Sequence, residues 1–190
     1  MSIASRQRGA LLAALLAIGL GAAPPPARAA EIAWFMSNCG TGKLCPWWQA
    51  KLTPPPGWQV DVAFGKERKT SALILKDNAT DDPVIYVNTS YDKETVDARI
   101  ARSEEHWRER QPDVRIERLD DVARASGEAP FRLYRYRNPS HANQPIEYLA
   151  WADHTDAKGN HFVFMAVLTN APEQVIEREK AAFLEVLKRL

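Results

Sequence analysis

The stretch that decides the fold is HFVFMAVLTNAPEQVIEREKAAFLEVLKRL, from His161 to Leu190. Phe162 to Leu168 is a continuous apolar run rich in aromatic and β-branched residues, which predicts a strand that is covered on both faces. Asn170, Pro172 and Glu173 then form a capping pattern, which predicts a helix with Asn170 as its N-cap. The apolar residues of this helix fall on one face: Ile176, Phe183, Val186, Leu187 and Leu190. We therefore expect the helix to pack on its own sheet.

Weaker strand signals precede this unit in two groups. Apolar or alternating runs predict strands at Trp58–Phe64, Ala72–Leu75, Val84–Val87, Val114–Leu119, Phe131–Arg137 and Ile146–Ala152. Between the two groups, the apolar periodicity from Val96 to Trp107 predicts a helix with Asp92 as its N-cap. Because the links between strands are short, we predict an α+β fold, with a central antiparallel sheet flanked by helices.

The segment 1–29 has the features of a secretory signal peptide. Two arginines precede an apolar stretch, Gly9–Ala23, that is too short to span a bilayer, and Ala27-Arg28-Ala29 fits a small-x-small cleavage site. We predict cleavage near Ala29 and a periplasmic or secreted mature protein without a transmembrane segment. Loss of the leader lowers the net charge from +1 to about −2. This charge argues against nucleic acid as a partner, because nucleic-acid binding needs a basic surface.

The remaining residues fit one domain, 54–190, preceded by an N-terminal arm, 30–53, that contains three tryptophans and both cysteines. Cys39 and Cys45 lie in the arm, and a close pair in an oxidising compartment predicts a disulfide; a redox-active or metal-binding pair is the alternative. Trp34, Trp47 and Trp48 either dock onto the domain or remain exposed as anchors for a partner.

Enzymatic patterns are scarce, and we predict no catalytic residues and no cofactor. The serines lack a nucleophile-elbow context, and a disulfide would consume both thiols. The weak metal candidates are His154 and Asp156, with His161 across an expected turn at Lys158-Gly159-Asn160. Their spacing matches no established zinc pattern, so a solvated turn is the favoured interpretation.

A candidate ligand site lies on the strand that carries Arg132, Tyr134 and Tyr136. The two-residue period of a strand places these three side chains on one face, and Arg135 and Arg137 on the other. An arginine beside aromatic rings can clamp an anionic group with two hydrogen bonds. The alternative is that these arginines reach past the sheet to carboxylates.

Several weak motifs together carry a family resemblance. They are Pro56-Gly57-Trp58 at the first strand, Ile85-Tyr86 with Tyr91-Asp92-Lys93 before a helix, the Phe131–Arg137 strand, and a closing Phe-Val strand followed by a helix with Phe183 and Leu187. In order and pattern they resemble the PsbP-like fold group. That group includes an extrinsic photosystem II subunit, small Ran-binding import factors and uncharacterised bacterial envelope proteins.

The resemblance covers Pro54 to Leu190 and has no counterpart for the segment from Glu31 to Trp48. It implies an α/β/α sandwich and a binding or accessory module rather than a catalyst. We therefore expect a non-catalytic protein that contacts an envelope protein partner. The first alternative is a small-ligand or metal binder, and a hydrolase is the third. The oligomeric state stays open.

Overall fold

The computed structural model describes residues 30–40, 42–77, 82–91, 94–140 and 145–190. The predicted signal peptide and the predicted N-cap Asp92 lie outside these residues. The elements are β1 Ile32–Asn38, β2 Leu44–Ala50, β3 Trp58–Val60, α1 Val62–Arg68, β4 Ser71–Leu75, β5 Val84–Tyr91, α2 Val96–Arg110, β6 Arg115–Arg118, β7 Arg132–Arg137, β8 Ile146–Thr155, β9 His161–Thr169 and α3 Glu173–Arg189.

The strands form one sheet in the order β1-β2-β5-β9-β8-β7-β6. Off this path, β4 pairs with the first half of β5, Val84 to Val87, and β3 pairs with β4. Neighbouring strands are antiparallel in every described pairing. The predicted α+β class with a central antiparallel sheet is therefore confirmed. As expected from its apolar run, β9 lies in the interior of the sheet, between β5 and β8.

Each face of the sheet has its own core. On one face, here called the α3 face, the apolar side of α3 packs against buried residues such as Ile85, Phe164 and Leu168. On the opposite α2 face, Val96 and Ile100 of α2 pack against buried side chains of β8 and β9. The predicted apolar face of α3 is confirmed, because all five of its residues are buried: Ile176, Phe183, Val186, Leu187 and Leu190.

The helix starts differ from the predictions. Helix α3 begins at Glu173 after Pro172, and Asn170 instead leaves β9 in a left-handed conformation, with φ of 71°. Helix α2 is capped by Thr95, whose side chain accepts a hydrogen bond from the Ala98 N–H. The predicted strand from Trp58 to Phe64 forms only as far as Val60, so the prediction was wrong for the residues after it. The Asp61 side chain caps α1, and the chain continues from there as a helix.

The predicted arm, 30–53, contains the first two strands of the sheet. Strands β1 and β2 pair in register as a hairpin, and β2 joins the main sheet where Trp48 lies opposite Thr89. Apolar residues at both odd and even positions hide the two-residue period here, which is why the pattern does not read as a strand.

Among the described helices, none is long and apolar enough to cross a membrane.

Candidate functional site

The β1–β2 hairpin is closed at its tip by the predicted disulfide. A bond joins Cys39 and Cys45, and the Cys39 N–H donates to the Lys43 carbonyl oxygen at 3.1 Å. Gly40 and Gly42 have positive φ values of 97° and 73°, which the tight connection between the strands requires. The prediction of a structural bridge is thus confirmed, and the bridge fixes the end of the hairpin.

One face of the hairpin carries a row of exposed apolar side chains. Trp34, Met36 and Leu44, here called the hairpin row, have 67%, 48% and 65% of their surfaces exposed. Strand alternation places this row on the α3 face, because Ile32 and Ala50 further along the same strands pack into the core on that face. The row therefore extends an apolar sheet face into solvent.

Trp48 anchors the row to the domain. Its ring stacks on Tyr91, with ring centroids 5.2 Å apart, and meets the edge of Phe162 at 6.4 Å. It also lies opposite Trp34 in the hairpin register. The hairpin row is thus continuous, through Trp48, with aromatic side chains of β5 and β9.

On the opposite face of the hairpin, Trp47 and Gln49 are partly covered by the segment that follows α1. The Lys69 ammonium lies 4.3 Å from the centroid of the Trp47 ring and donates to the Asn38 carbonyl oxygen at 2.9 Å. Gln49 Nε2 donates to the Thr70 carbonyl oxygen at 2.6 Å. The three candidate tryptophans therefore separate: Trp34 is exposed, Trp48 packs on the domain, and Trp47 lies beneath Lys69.

The hairpin strands are uncharged, although about a quarter of the chain is charged. Neither β1, IAWFMSN, nor β2, LCPWWQA, contains an Asp, Glu, Lys or Arg. The nearest charges in sequence lie at the two ends of the hairpin, with Glu31 and Lys51 paired at its base and Lys43 at its tip. Depletion of charge at the centre of an exposed apolar patch is typical of protein interfaces.

The predicted ligand residues lie on one face of β7, but they do not form an open site. Arg132 pairs with Asp97 of α2, and the Tyr136 ring packs against Trp107 at 5.6 Å. Burial raises the pKa of the Tyr136 phenol to about 12. Tyr134 contacts the Tyr136 ring and lies beneath the guanidinium of Arg118. These residues thus attach α2 and β6 to the sheet.

The other two arginines of β7 face α3, as the strand period predicts. Arg135 Nη2 lies 2.7 Å from a carboxylate oxygen of Glu117, and its Nη1 lies 3.6 Å from Glu177 Oε1. Arg137 pairs with Glu173 in the first turn of α3. These contacts match the alternative in which the arginines reach carboxylates.

The structure does not bring the weak metal candidates together. His154 stacks on Phe164 on the α3 face, whereas His161 contacts Asp153 at 2.9 Å on the α2 face. Asp156 closes the turn by accepting hydrogen bonds from Asn160, and these bonds lower the pKa of its carboxyl group. Among the described residues, no group of three or more His, Cys, Asp or Glu could hold a metal ion.

A buried polar cluster lies where β8 approaches the C-terminal end of α3. The Arg124 guanidinium lies 2.7 Å from Glu128 Oε2, and its Nη1 donates to the Asp153 carbonyl oxygen at 3.0 Å. The Nη2 of Arg124 also donates to the backbone oxygen of Leu190. Glu128 Oε1 lies 2.8 Å from His154 Nδ1. The cluster therefore ties the loop between β6 and β7 to both β8 and α3.

The electrostatics of this cluster favour a neutral histidine. Burial, which removes solvation from the charged imidazolium, is the largest cause of a lowered pKa at His154. The Glu128 carboxylate opposes that shift, while the Arg124 guanidinium adds to it. Burial also lowers the pKa of Arg124, although Glu128 partly offsets this effect. The arginine, and not the histidine, is the natural counter-charge to Glu128.

The arrangement is unsuited to a hydrolytic triad. Ser126 Oγ donates to Glu128 Oε2 at 2.9 Å, so the carboxylate lies between the serine and His154. A triad requires the imidazole between the nucleophile and the acid. His154 Nε2 is buried and has no hydrogen-bond partner among the described residues. The serine is thus not activated by the histidine.

A groove of about 570 Å³ lies between α3 and the segment that follows β6. Its apolar lining is Leu119, Val122, Leu133 and Leu184, and its charged lining is Arg118, Asp120, Asp121, Lys180 and Lys188. Both signs of charge are present, and Arg118 pairs with Asp121. None of the predicted ligand or metal residues lines this groove.

No protein-family model matches this chain, and none of the curated proteins is significantly similar to it. The PsbP-like resemblance therefore rests on the pattern of residues alone.

Two features of the site were missed from the sequence. The position of the hairpin row at the sheet edge was missed because apolar and polar residues do not alternate from Glu31 to Trp48. The glycine-rich segment between the two cysteines was a signal for a hairpin turn. The Arg124–Glu128–His154 cluster had no local signal. Arg124 and His154 are separated by 30 positions, and neither lies in a recognisable motif.

Proposed function

We propose that this protein is a secreted or periplasmic, non-catalytic binding module whose hairpin row contacts a protein partner of the cell envelope. The observation that carries the proposal is the hairpin row itself, three large apolar side chains exposed side by side on one disulfide-closed hairpin. Single exposed apolar residues are common on protein surfaces, but contiguous exposed patches mark interaction sites.

The hairpin is suited to recognition because it is held in place before binding. The disulfide closes its tip, Lys69 donates to the Asn38 carbonyl oxygen of β1, and Gln49 of β2 donates to the Thr70 carbonyl oxygen. A surface that is already ordered loses little conformational entropy when it binds a partner. The disulfide also supports an oxidising compartment, which agrees with the predicted signal peptide.

The PsbP-like assignment belongs to the same proposal. The antiparallel sheet with α2 on one face and α3 on the other supports an α/β/α sandwich. Members of that group act mostly as binding or accessory modules. The hairpin, which the resemblance does not cover, would then be the part of this chain that determines the choice of partner.

The test is native mass spectrometry of the protein purified gently from its own envelope fraction. Leu44→Ser removes an apolar side chain that is 65% exposed within the hairpin row. Val62→Ser is the matched control, because Val62 is 59% exposed but belongs to α1 and not to the hairpin row. We expect a discrete protein complex with the wild type and the Val62 variant, and its loss with the Leu44 variant.

Two results would contradict the proposal. One is a complex that survives Leu44→Ser unchanged, since the hairpin row would then not be the contact surface. The other is a wild-type protein that carries a small non-covalent mass and no protein partner, which would favour the small-ligand alternative.

A further inference from the structure

The outer edge of β1 is an unusual sheet edge. Exposed edge strands offer unpaired backbone groups to other chains, and natural proteins protect them with charges, prolines or short length. Strand β6, at the opposite edge, has the sequence RIER, and β3 has only three residues. Strand β1 has seven residues, with no charge and no proline.

The hydrogen bonds that flank the hairpin identify which backbone groups of β1 point outward. Cys39 N–H binds the Lys43 oxygen, and Lys51 N–H binds the Glu31 oxygen. Antiparallel pairs alternate between hydrogen-bonded and non-hydrogen-bonded positions, so the odd-numbered residues of β1 bind β2. The even-numbered residues Ile32, Trp34 and Met36 therefore direct their N–H and C=O groups toward the open edge.

We infer that two copies of this chain pair through the open edges of β1, antiparallel and related by a two-fold axis at Phe35. This register places each of the seven residues of the strand opposite one of the second copy, with Trp34 and Met36 at the centre and Asn38, whose carbonyl oxygen binds Lys69, at the end. Trp34 then forms hydrogen-bonded pairs with Met36 of the second copy, and the two Phe35 side chains face each other across the axis. The sheet continues from one copy into the other.

Charge favours a second copy as the occupant of this edge. The paired strands carry no charge and so do not repel each other. Antiparallel pairing places Glu31 at the base of one hairpin opposite Cys39 at the tip of the other. The tip carries two cations, because Lys43 is hydrogen-bonded to Cys39 and Lys69 binds the Asn38 carbonyl oxygen. The Glu31 carboxylate, which pairs with Lys51 of its own hairpin, would therefore face positive charge at each end of the interface. The two-fold axis makes this match occur twice.

Lys69 occupies the C-terminal end of the open edge of β1. Its ammonium already binds the Asn38 carbonyl oxygen, which leaves Trp34 and Met36 at the centre of the available edge. The pairing uses backbone groups and not the outward surface of the hairpin row, so it goes beyond the proposed function. A dimer would place two hairpin rows side by side on one continuous sheet face.

Residue-resolved amide hydrogen exchange, measured by NMR with sedimentation as a check of mass, tests the pairing. In the dimer, the amides of Trp34 and Met36 are expected to exchange at least about tenfold more slowly than in the dilute monomer. The amides of Phe35 and Ser37 bind β2 in both states, so their exchange should change far less. This alternation is specific to edge pairing.

A proline substitution separates the backbone edge from the side chain. Met36→Pro removes an outward N–H and leaves the hydrogen bonds between β1 and β2 in place. Met36→Ala is the control, because it removes the side chain and keeps the N–H. We expect the Met36→Ala variant to dimerise and the Met36→Pro variant to sediment as a monomer. Mass spectrometry of the intact protein verifies that the disulfide is formed in both variants, and circular dichroism verifies that both are folded.

Three results would overturn the inference. They are a wild-type monomer at about 100 μM, a dimer of Met36→Pro as stable as the wild type, and a dimer whose Trp34 and Met36 amides gain no protection. The proposed function is tested separately by Leu44→Ser, since Leu44 lies on β2 and away from the open edge. A monomer that still forms the envelope complex therefore contradicts the pairing alone.

Discussion

Glu128 Oε1 lies 2.8 Å from His154 Nδ1. The side chains of His154 and Arg124, which both contact this carboxylate, are fully buried. The carboxylate favours the tautomer in which Nδ1 carries the proton. Arg124 supplies the balancing positive charge at 2.7 Å from the other oxygen of Glu128. A protonated His154 would place a second buried cation beside the first, which explains why the neutral form is favoured.

The first prediction concerns pH. Because the pKa of His154 is lowered in the folded protein, the unfolded chain binds more protons as the pH falls below the usual histidine value of about 6.5. The free energy of unfolding should therefore be largest above that value and decrease as pH falls toward about 5. Urea titrations of the wild type and of His154→Gln measure this slope, which should be flatter in the variant.

The control for this prediction is His106→Gln, because His106 is exposed on α2. Its pH slope should follow that of the wild type. A slope in His154→Gln that equals the wild-type slope would assign the pH dependence to other groups.

The second prediction compares two ion pairs. Glu128→Gln leaves the buried Arg124 without its counter-charge, and removing one partner of a buried pair costs about 3 kcal/mol. Glu117→Gln removes a partner of Arg135, where the two side chains are 53% and 32% exposed. The second variant should lose less than about 1 kcal/mol. Equal losses by urea unfolding would show that the Arg124 cluster is not the stronger contact.

How far the fold can be predicted from the sequence depends on whether its signals are local. The apolar run of β9 and the helical spacing of α3 are local patterns, and both elements form as predicted. The start of α1 was missed because Val62 and Phe64 fit strand alternation as well as a helix. The Asp61 side chain decides for the helix by binding the Phe64 N–H at 3.0 Å.

The site was less predictable because it depends on which strand lies at the edge. The tryptophans and the cysteines were identified, but strand order is set by pairings between distant residues such as Trp48 and Thr89. Only that order makes Trp34 exposed. Likewise, strand alternation gave the face of Arg132 correctly, yet its partner Asp97 lies 35 positions away.

The third prediction separates the tryptophans by stability. Trp48→Ala removes a ring that packs on Tyr91 and Phe162 and should cost about 2 kcal/mol. Trp34→Ala removes an exposed ring from the hairpin row and should change the free energy of unfolding by less than about 0.5 kcal/mol. Chemical unfolding followed by far-ultraviolet circular dichroism measures both. A large loss for Trp34→Ala would mean that this ring packs on the domain.

The fourth prediction concerns the disulfide. The double variant Cys39→Ser, Cys45→Ser should lose about 2 kcal/mol, because the bond closes a short loop and constrains the unfolded chain. Reductant should cause the same loss in the wild type and no further loss in the variant. Since Lys69 still binds β1 and the Gln49 side chain of β2 still binds the Thr70 carbonyl oxygen, NMR shift changes should be confined to β1, β2 and their contacts. Shift changes that spread to α3 would instead indicate that the bridge supports the whole sheet.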